Sequence, residues 1–593
     1  MRVDIGVNRL VILVQTICCY RYDFKDDQNA TTLNLSKSGI TSLHENIKNC
    51  KNLEELYLDG NELETLPEVI GKLPSLKKLS VSNNNLKSLP SAIGGLKVLE
   101  ELYLDGNDLE ALPDAIGMLP KLKKLSVSHN NLRSLSSEIG KLTILEELYL
   151  DGNKLETLPE AIGRLFGLKK LSVSGNLLNS LPYKIGRLRI LKELDLSDNQ
   201  LTLIPGAIGG LANLETLDLS NNCQYVPIQD PSSLESLNSS IDEINSPYSG
   251  LYECRVISLP SKIGKLKKLR RLNLSMNNLT FLPEEVCDCV GLKKLYLGEN
   301  RIKTWPSKLH RLLNLGELYL ESNQLKELPA TVRLPGKLTT LDLSHNNLSE
   351  LPNSIGSLYL LQELNLESNR FRTIPDSVKA LTGLKVLNLS HNSFTLFPGE
   401  IKNLVVLEQL NLGFNLLEAL SADIETLRNL KVLDLERNRL SIFPQPLLNC
   451  IDLKRLILKG NRISVLPDVL GKLITVKELD LSDNALTSIP KDIGKLINLK
   501  HLLLSDNELG SLPEEIGQCV FLTHLDLSGN SLRSLPVSFA SLTNLQTLYL
   551  DGNLFTSFPE VIKKLSKLEN FNYDFDDREV APNPVTPSPV TQQ

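Results

Sequence analysis

Leu53-Glu54-Glu55-Leu56-Tyr57-Leu58-Asp59-Gly60-Asn61-Glu62-Leu63-Glu64-Thr65-Leu66-Pro67-Glu68-Val69-Ile70-Gly71-Lys72-Leu73-Pro74-Ser75 carries two periods in 23 residues. Leu56 and Leu58 alternate with Glu55, Tyr57 and Asp59, the period of two of a short strand with leucines inward and polar groups outward. Asn61 follows, where an amide can satisfy backbone groups as the chain turns. Leu63 and Leu66 are the next inward residues. Pro67 then leads into Ile70, Leu73 and Leu76, a spacing of three that predicts one or two turns of 3₁₀- or α-helix, with Gly71 limiting its regularity.

The same unit recurs at a fixed step. Its middle leucine falls at Leu33, Leu56, Leu79, Leu102, Leu125, Leu148, Leu171, Leu194 and Leu217. It restarts at Leu272 and continues through Leu295, Leu318, Leu341, Leu364, Leu387, Leu410, Leu433, Leu456, Leu479, Leu502, Leu525 and Leu548. Nine and thirteen members make 22 coils, and the turn Asn is present in 21 of them, with Ser38 as the exception. One coil cannot cover its own apolar sides, so only stacking buries them. The expected fold is therefore an α/β solenoid. Its curved parallel sheet lies on the concave face, with short helical or 3₁₀ segments on the convex face. Cys50, Cys289, Cys450 and Cys519 take the place of Leu73 and are expected to be buried thiols; Trp305 takes that of Leu66 and is expected in the core.

Between Leu217 and Leu272 the step is 55 residues, or 23 plus 32. Pro227, Pro231, Ser239, Ser246 and Pro247 give this stretch a loop-like composition. It is either an insertion after Asn222 or a degenerate coil built on Leu251, Cys254, Val256 and Leu259; the coil is favoured. The expected organisation is a cap or signal segment at 1–29, a first array at 30–222, an insertion or degenerate repeat at 223–254, a second array at 255–573, and an acidic, proline-rich tail at 574–593. Phe571 and Tyr573 take the strand positions of a last partial coil. Residues 10–19 resemble the apolar core of a signal peptide, although Asp4 does not fit its basic start.

Composition excludes several classes. A net charge of −6 with no basic stripe argues against nucleic acid. No run reaches the ~18 apolar residues of a membrane-spanning helix. Nine scattered cysteines do not form a disulfide framework. No phosphate-binding glycine loop or H-E-x-x-H motif is present, so the chain reads as a non-enzyme without cofactor or metal. His129, His345 and His391 share one coil position because the triplet S-H-N repeats, and His501 beside His524 lacks a third metal ligand.

Function is expected on the outward strand positions. Early coils alternate Glu54, Glu55, Tyr57, Asp59 with Lys77, Lys78, Ser80, Ser82, and then Glu100, Glu101, Tyr103, Asp105 with Lys123, Lys124, Ser126, Ser128. A third pair places Tyr149 over the same pattern. This 46-residue super-period reads either as a self-neutralised face or as a tyrosine row for partner contact. Later coils put Val432, Ile457 and Leu503 outward, with Phe414 just past a strand end. Around them stand Lys431, Arg437, Lys454, Arg455, Lys459, Lys500, His501 and His524: an apolar centre with a basic rim, as in protein interfaces.

The unit L-x-x-L-x-L-S-x-N-x-L-x-x-[LI]-P-x-x-I-G-x-L, as in Leu191 to Leu211, resembles the intracellular Ras-group class of leucine-rich repeats. That class includes the Shoc/Sur-type Ras-pathway scaffold and its plant relatives. The resemblance covers residues 30–573 and implies a leucine-rich-repeat horseshoe acting as a cytoplasmic signalling scaffold. Its implied partners are proteins, such as a small GTPase or a protein phosphatase catalytic subunit. Arg2-Val3-Asp4-Ile5 looks like a phosphatase-docking motif, with Ile5 where an aromatic residue is expected. The break after Asn222 and the two-coil super-period depart from the plain class. The other expectation is a secreted or surface recognition ectodomain. The sequons at Asn29 and Asn238 favour it; those at Asn273 and Asn388, which would place glycans on the strand face, and the absence of cysteine-rich caps oppose it. A regulatory subunit of an enzyme is a third reading.

Overall fold

A computed structural model of the chain describes residues 30–222, 225–227, 252–254, 259–330 and 332–574. It divides into two compact units, Met1–Gln324 and Leu325–Gln593. The terminal cap or signal segment, the docking-like Arg2–Ile5 stretch, and the Asn29 and Asn238 sequons lie outside the described residues.

Each unit is a solenoid of coils that contribute one three-residue strand apiece. In the first unit the strands run from Thr32–Asn34 to Glu317–Tyr319, and in the second from Thr340–Asp342 to Asn570–Asn572. Neighbouring strands are parallel with a register of one coil, as in Leu56 opposite Leu79 and Leu456 opposite Leu479. Three residues suffice because the inward leucines carry the burial: Leu56, Leu58, Leu63 and Leu73 are wholly enclosed. Every helical segment among the described residues is 3₁₀, such as Glu68–Lys72 after Pro67, where Ile70 N–H donates to Pro67 O at 3.0 Å. No helix of the described residues is long and apolar enough to cross a membrane.

Two side-chain devices fix the stacking. The turn asparagines form a buried ladder: Asn84 Nδ2 donates to Leu58 O of the preceding coil at 3.0 Å and to Val81 O at 3.2 Å, and Asn84 Oδ1 accepts from Leu63 N at 3.0 Å. Each amide thus saturates backbone groups of two coils that water cannot reach. Where the residue in the middle of the 3₁₀ segment is glycine, successive coils approach closely. A Cβ on Gly71 would stand 2.0 Å from Ala92 O of the next coil, and one on Gly163 would stand 2.3 Å from Lys184 O. Glycine lets successive 3₁₀ segments touch backbone to backbone.

The cysteines in the Leu73 position are buried, and Cys289, Cys450 and Cys519 are free thiols. Cys289 Sγ lies 3.3 Å from Ile263 O and Cys519 Sγ 3.2 Å from Ile493 O, each pointing at the preceding coil. Burial pushes the Cys519 thiol up to about 12 and Cys450 up to about 11, far from thiolate chemistry. Trp305 is 5% exposed and in the core.

The favoured degenerate coil contributes no strand to the parallel ladder. Thr216–Asp218 pairs directly with Arg271–Asn273, Leu217 opposite Leu272. The asparagine ladder crosses the same gap: Asn277 Nδ2 donates to Leu219 O at 2.8 Å, and its Oδ1 accepts from Asn222 N at 3.1 Å. Tyr225–Pro227 and Tyr252–Cys254 instead form an antiparallel pair of their own. Leu251 and Val256 of the degenerate-coil reading lie outside the described residues. At the last coil, Phe571 pairs with Leu548, and Phe558 meets Phe571 and Tyr573 edge-on at 6.2 and 5.5 Å.

Candidate functional site

The outward strand positions of the two units differ, and each is built on the same backbone. In the first unit the charges are consumed internally. Lys77, Lys123 and Lys169 pair with Glu54, Glu100 and Glu146 at 2.9, 2.7 and 2.7 Å. Lys78, Lys124 and Lys170 reach the other way, to Glu101, Glu147 and Glu193, at 3.1, 3.0 and 2.8 Å. Asp59 accepts from Ser80 Oγ at 2.6 Å and Ser82 N at 2.8 Å, and Asp105 and Asp151 repeat this with their own serine pairs.

Tyr57, Tyr103 and Tyr149 sit inside this network. Their hydroxyls donate to Glu55, Glu101 and Glu147 at 3.1, 3.0 and 2.9 Å. Lys78 lies over the rings of Tyr57 and Tyr103 at 5.6 and 5.1 Å, and Lys124 over those of Tyr103 and Tyr149 at 5.5 and 5.2 Å. Burial, then the glutamate hydrogen bond, raises the Tyr103 hydroxyl above the usual phenol range. Both the ring faces and the hydroxyls are therefore partly occupied by the protein itself.

Beyond Tyr149 the network loses its balance. A cleft of about 310 Å³ is lined by Tyr149, Lys170, Glu193, Asp195, Asp218 and Arg271. Burial, with the nearby Asp218 and Asp151 charges, raises the Asp195 carboxyl despite hydrogen bonds from Ser197 N at 3.0 Å and Oγ at 2.7 Å. Tyr296 and Tyr319 stack at 4.8 Å, and Arg271 lies over Tyr296 at 4.9 Å. Sequence reasoning passed over this pair, although both residues hold the Tyr57 position and are 23 residues apart.

In the second unit, Val432, Ile457 and Leu503 occupy outward strand positions and are half-buried. Phe414 is 36% exposed and adopts φ 53°, the left-handed region. This coil position takes that conformation throughout; Gly460 and Gly529 hold it at φ 68° and 61°. For a phenylalanine the conformation is strained, by roughly 1–3 kcal/mol. Its ring stacks on His391 at 4.0 Å and lies under the Arg437 guanidinium at 5.6 Å. His391, Phe414 and Arg437 are thus a column on three successive coils. The 23-residue step already places them together, but only the backbone reveals that all three pay for a positive φ.

The basic rim divides. Arg455 pairs with Glu478 at 2.8 Å, Arg437 reaches Glu436 at 3.7 Å, and Lys431 reaches Glu408 at 2.7 Å. Lys454 and Lys459 form no ion pair among the described residues. His501 and His524 stack at 4.4 Å in register across adjacent strands. Burial, then the neighbouring His524, lowers the His501 pKa, with Glu478 opposing. No group of three His, Cys, Asp or Glu residues among the described ones is placed to hold a metal.

Comparison with known proteins agrees with this architecture. A "Leucine rich repeat" model matches residues 28–86, 166–223, 267–417 in three overlapping segments, and 451–509. A "Leucine-rich repeat region" model matches 68–159 and 485–582. No curated protein gives a significant match. Among solved structures, the plant peptide hormone receptor RGFR1 in complex with RGF2 is 28% identical, with a TM-score of 0.63, over 92% of this chain and 90% of that one. A TDR receptor is 27% identical, with a TM-score of 0.58, over 86% and 91%. The Arabidopsis receptor kinase HAESA, in complex with the peptide hormone IDA and the co-receptor SERK1, is 26% identical, with a TM-score of 0.51, over 93% and 92%. With 23-residue coils, an asparagine ladder and family matches over more than half its length, the chain belongs to the leucine-rich-repeat family.

Proposed function

We propose that this chain is a non-catalytic scaffold or adaptor in intracellular signal transduction, taking its protein partner on the strand face of the second unit. The observation that carries the reading is Phe414: an aromatic ring held in a strained backbone conformation, 36% exposed, between His391 and Arg437. The positive φ belongs to this coil position, where residues such as Lys37, Met276 and Arg437 also adopt it; what sets Phe414 apart is a large exposed ring at that place, stacked between His391 and Arg437. Val432, Ile457 and Leu503 add apolar side chains on later coils, Ile457 and Leu503 each standing between aspartates of their row, and aromatic and Arg anchors suit a protein interface. The tyrosine row Tyr57, Tyr103 and Tyr149 is a weaker docking surface, because its lysines and glutamates already hold it.

An intracellular setting is supported by two sequons. Asn273 Nδ2 donates to Asp218 at 3.0 Å and Asn388 Nδ2 to Glu367 at 2.9 Å, so a glycan on either would break the outward network. Partners of Ras/MAPK type, a small GTPase or a phosphatase catalytic subunit, follow from the resemblance. A secreted or surface ectodomain is the second reading, favoured by the likeness to the hormone receptors RGFR1 and HAESA. Mass spectrometry of the native N-terminus and of Asn273 and Asn388 separates the two: glycans there support the ectodomain.

Affinity capture from native extract tests the docking face. Phe414→Asp with Ile457→Asp is expected to lower recovery of specifically bound proteins at least tenfold while the circular dichroism spectrum is kept. Unchanged recovery removes the second-unit face as the site.

A further inference from the structure

The residue ahead of each strand occupies one row of the solenoid surface. In the second unit this row runs Lys385, Glu408, Lys431, Lys454, Lys477, Lys500, Thr523. Backbone bonds hold it in register: Lys454 N to Lys431 O at 2.8 Å, Lys477 N to Lys454 O at 2.7 Å, and Lys500 N to Lys477 O at 2.8 Å. Glu408 pairs with Lys431, but Lys454, Lys477 and Lys500 form no ion pair among the described residues. Four like charges on successive coils, about 4.8 Å apart, repel one another. In the first unit the same row alternates sign from Glu54 to Lys169, and Lys77, Lys123 and Lys169 pair with Glu54, Glu100 and Glu146, so the repeat itself does not demand this run.

Three residues along the same strands, about 10 Å away, stand Ile457 and Leu503. Arg455, Glu478 and His501 lie between the two rows, with Arg455 and Glu478 already joined. We infer that this surface binds an extended peptide segment of a partner protein in which acidic and apolar residues alternate. Resting on the docking face proposed above, the inference names its partner's chemistry. An extended chain laid along the middle row sends alternate side chains to opposite sides. One side meets the lysines and the other meets Ile457 and Leu503. The four lysines span about 14 Å, the length of four to five extended residues, and their flexible stems absorb the difference between the peptide's repeat and the coil's. Nucleic acid fits less well: Asp434, Asp480 and Asp526 share the Ile457 row, and a phosphate backbone has no use for the two apolar side chains between them.

Panning a phage library of random dodecapeptides against the full chain tests this, with Lys454→Ser/Lys477→Ser/Lys500→Ser as the second bait and a twelve-nucleotide oligothymidylate as competitor. These lysines are outward, so the variant is expected to keep the parent's circular dichroism and melting. The expected result is enrichment of acid–apolar alternation, at least tenfold weaker binding of those peptides to the variant, and further weakening by raised salt. No enrichment, enrichment of neutral or basic sequences, equal binding to the variant, or displacement by the oligonucleotide at lower concentration than by the peptides overturns the inference. The two proposals fail separately. Protein capture that depends on Phe414 and Ile457 but not on these lysines removes the acidic partner alone. Acidic peptides bound through the lysines while capture ignores Phe414 and Ile457 removes the docking proposal.

Discussion

In the first unit the position ahead of the strand reads Glu54, Lys77, Glu100, Lys123, Glu146, Lys169; in the second it reads Lys431, Lys454, Lys477, Lys500. Both rows stand on identical parallel backbone, so the difference lies in side-chain chemistry alone. In the first unit Lys77, Lys123 and Lys169 each find a glutamate on the preceding coil, and the tyrosines are clamped beneath. In the second unit the cations accumulate, and hydrophobic side chains surface beside them. The contrast shows that the repeat fixes where a side chain stands without fixing what it does. A face that satisfies itself has little left to offer a partner, whereas one that leaves charge and apolar area unmatched has both.

The common frame is where the two units should respond alike and most strongly. Asn107 in the first unit and Asn461 in the second each make the same three ladder bonds, at 2.9 to 3.1 Å. Alanine at either leaves a core amide, Leu86 N or Leu440 N, without its partner and removes one of the two asparagine donors from each of two core carbonyls. Each substitution should cost about 1–3 kcal/mol, read by urea denaturation. A clear loss at one site and none at the other would mean that the frame is not shared.

Restoring alternation comes next. Lys454→Glu with Lys500→Glu places a carboxylate on either side of Lys477. Exposed pairs contribute about 0–1 kcal/mol each, so melting should rise slightly while acidic peptides no longer bind. The reverse change, Glu100→Lys with Glu146→Lys, should lower melting by a similar amount. If melting falls in the first variant and rises in the second, the charge pattern does not distinguish the faces.

A smaller effect is expected at Asp195, whose folded pKa is raised by burial and by neighbouring carboxylates. A raised carboxyl is disfavoured in its charged form, so at neutral pH it weakens the fold, and the penalty disappears as pH falls through the folded pKa. Asp195→Asn should therefore raise the melting temperature at pH 7 and lose that advantage in acid. Asparagine already fits this strand position in Asn273, whose Oδ1 accepts from Ser275 N at 3.1 Å. A gain that persists unchanged in acid would contradict the assignment.

The smallest effect is expected at His501. Its folded pKa is lowered, so the unfolded chain takes up the proton first as pH falls. Its contribution to stability is thus present above the ordinary histidine pKa near 6.5 and is lost as pH drops below it. His501→Gln should slightly flatten the dependence of melting on pH between about 7 and 5. An unchanged slope would remove the stacked pair as a pH-sensitive element.

Most of the frame was legible because its signals are local and repeated: Leu56 and Leu58 name the strand, Asn61 the turn, and Pro67 with Ile70 the 3₁₀ segment. The cysteines and Trp305 were placed by coil position alone. What stayed hidden depends on contacts between coils. Gly71 reads as a flexible residue until Ala92 O is seen against it. The 32 extra residues after Asn222 resemble a worn coil until Leu217 is seen beside Leu272. Phe414 was noticed as an apolar residue past a strand, but its strain and its place between His391 and Arg437 are properties of the backbone. The lysine row is present in the sequence, but only the coil register sets Lys477 between Lys454 and Lys500.

Site-directed photo-crosslinking tests the central claim most directly. A benzophenone side chain is placed in turn at Ile457, Leu503, Tyr57 and Tyr103 of the full chain, and each protein is irradiated in native extract. The account predicts discrete protein adducts from positions 457 and 503 that disappear with Phe414→Asp, and few from positions 57 and 103. Adducts confined to positions 57 and 103, or adducts at 457 that are indifferent to Phe414→Asp, would contradict it.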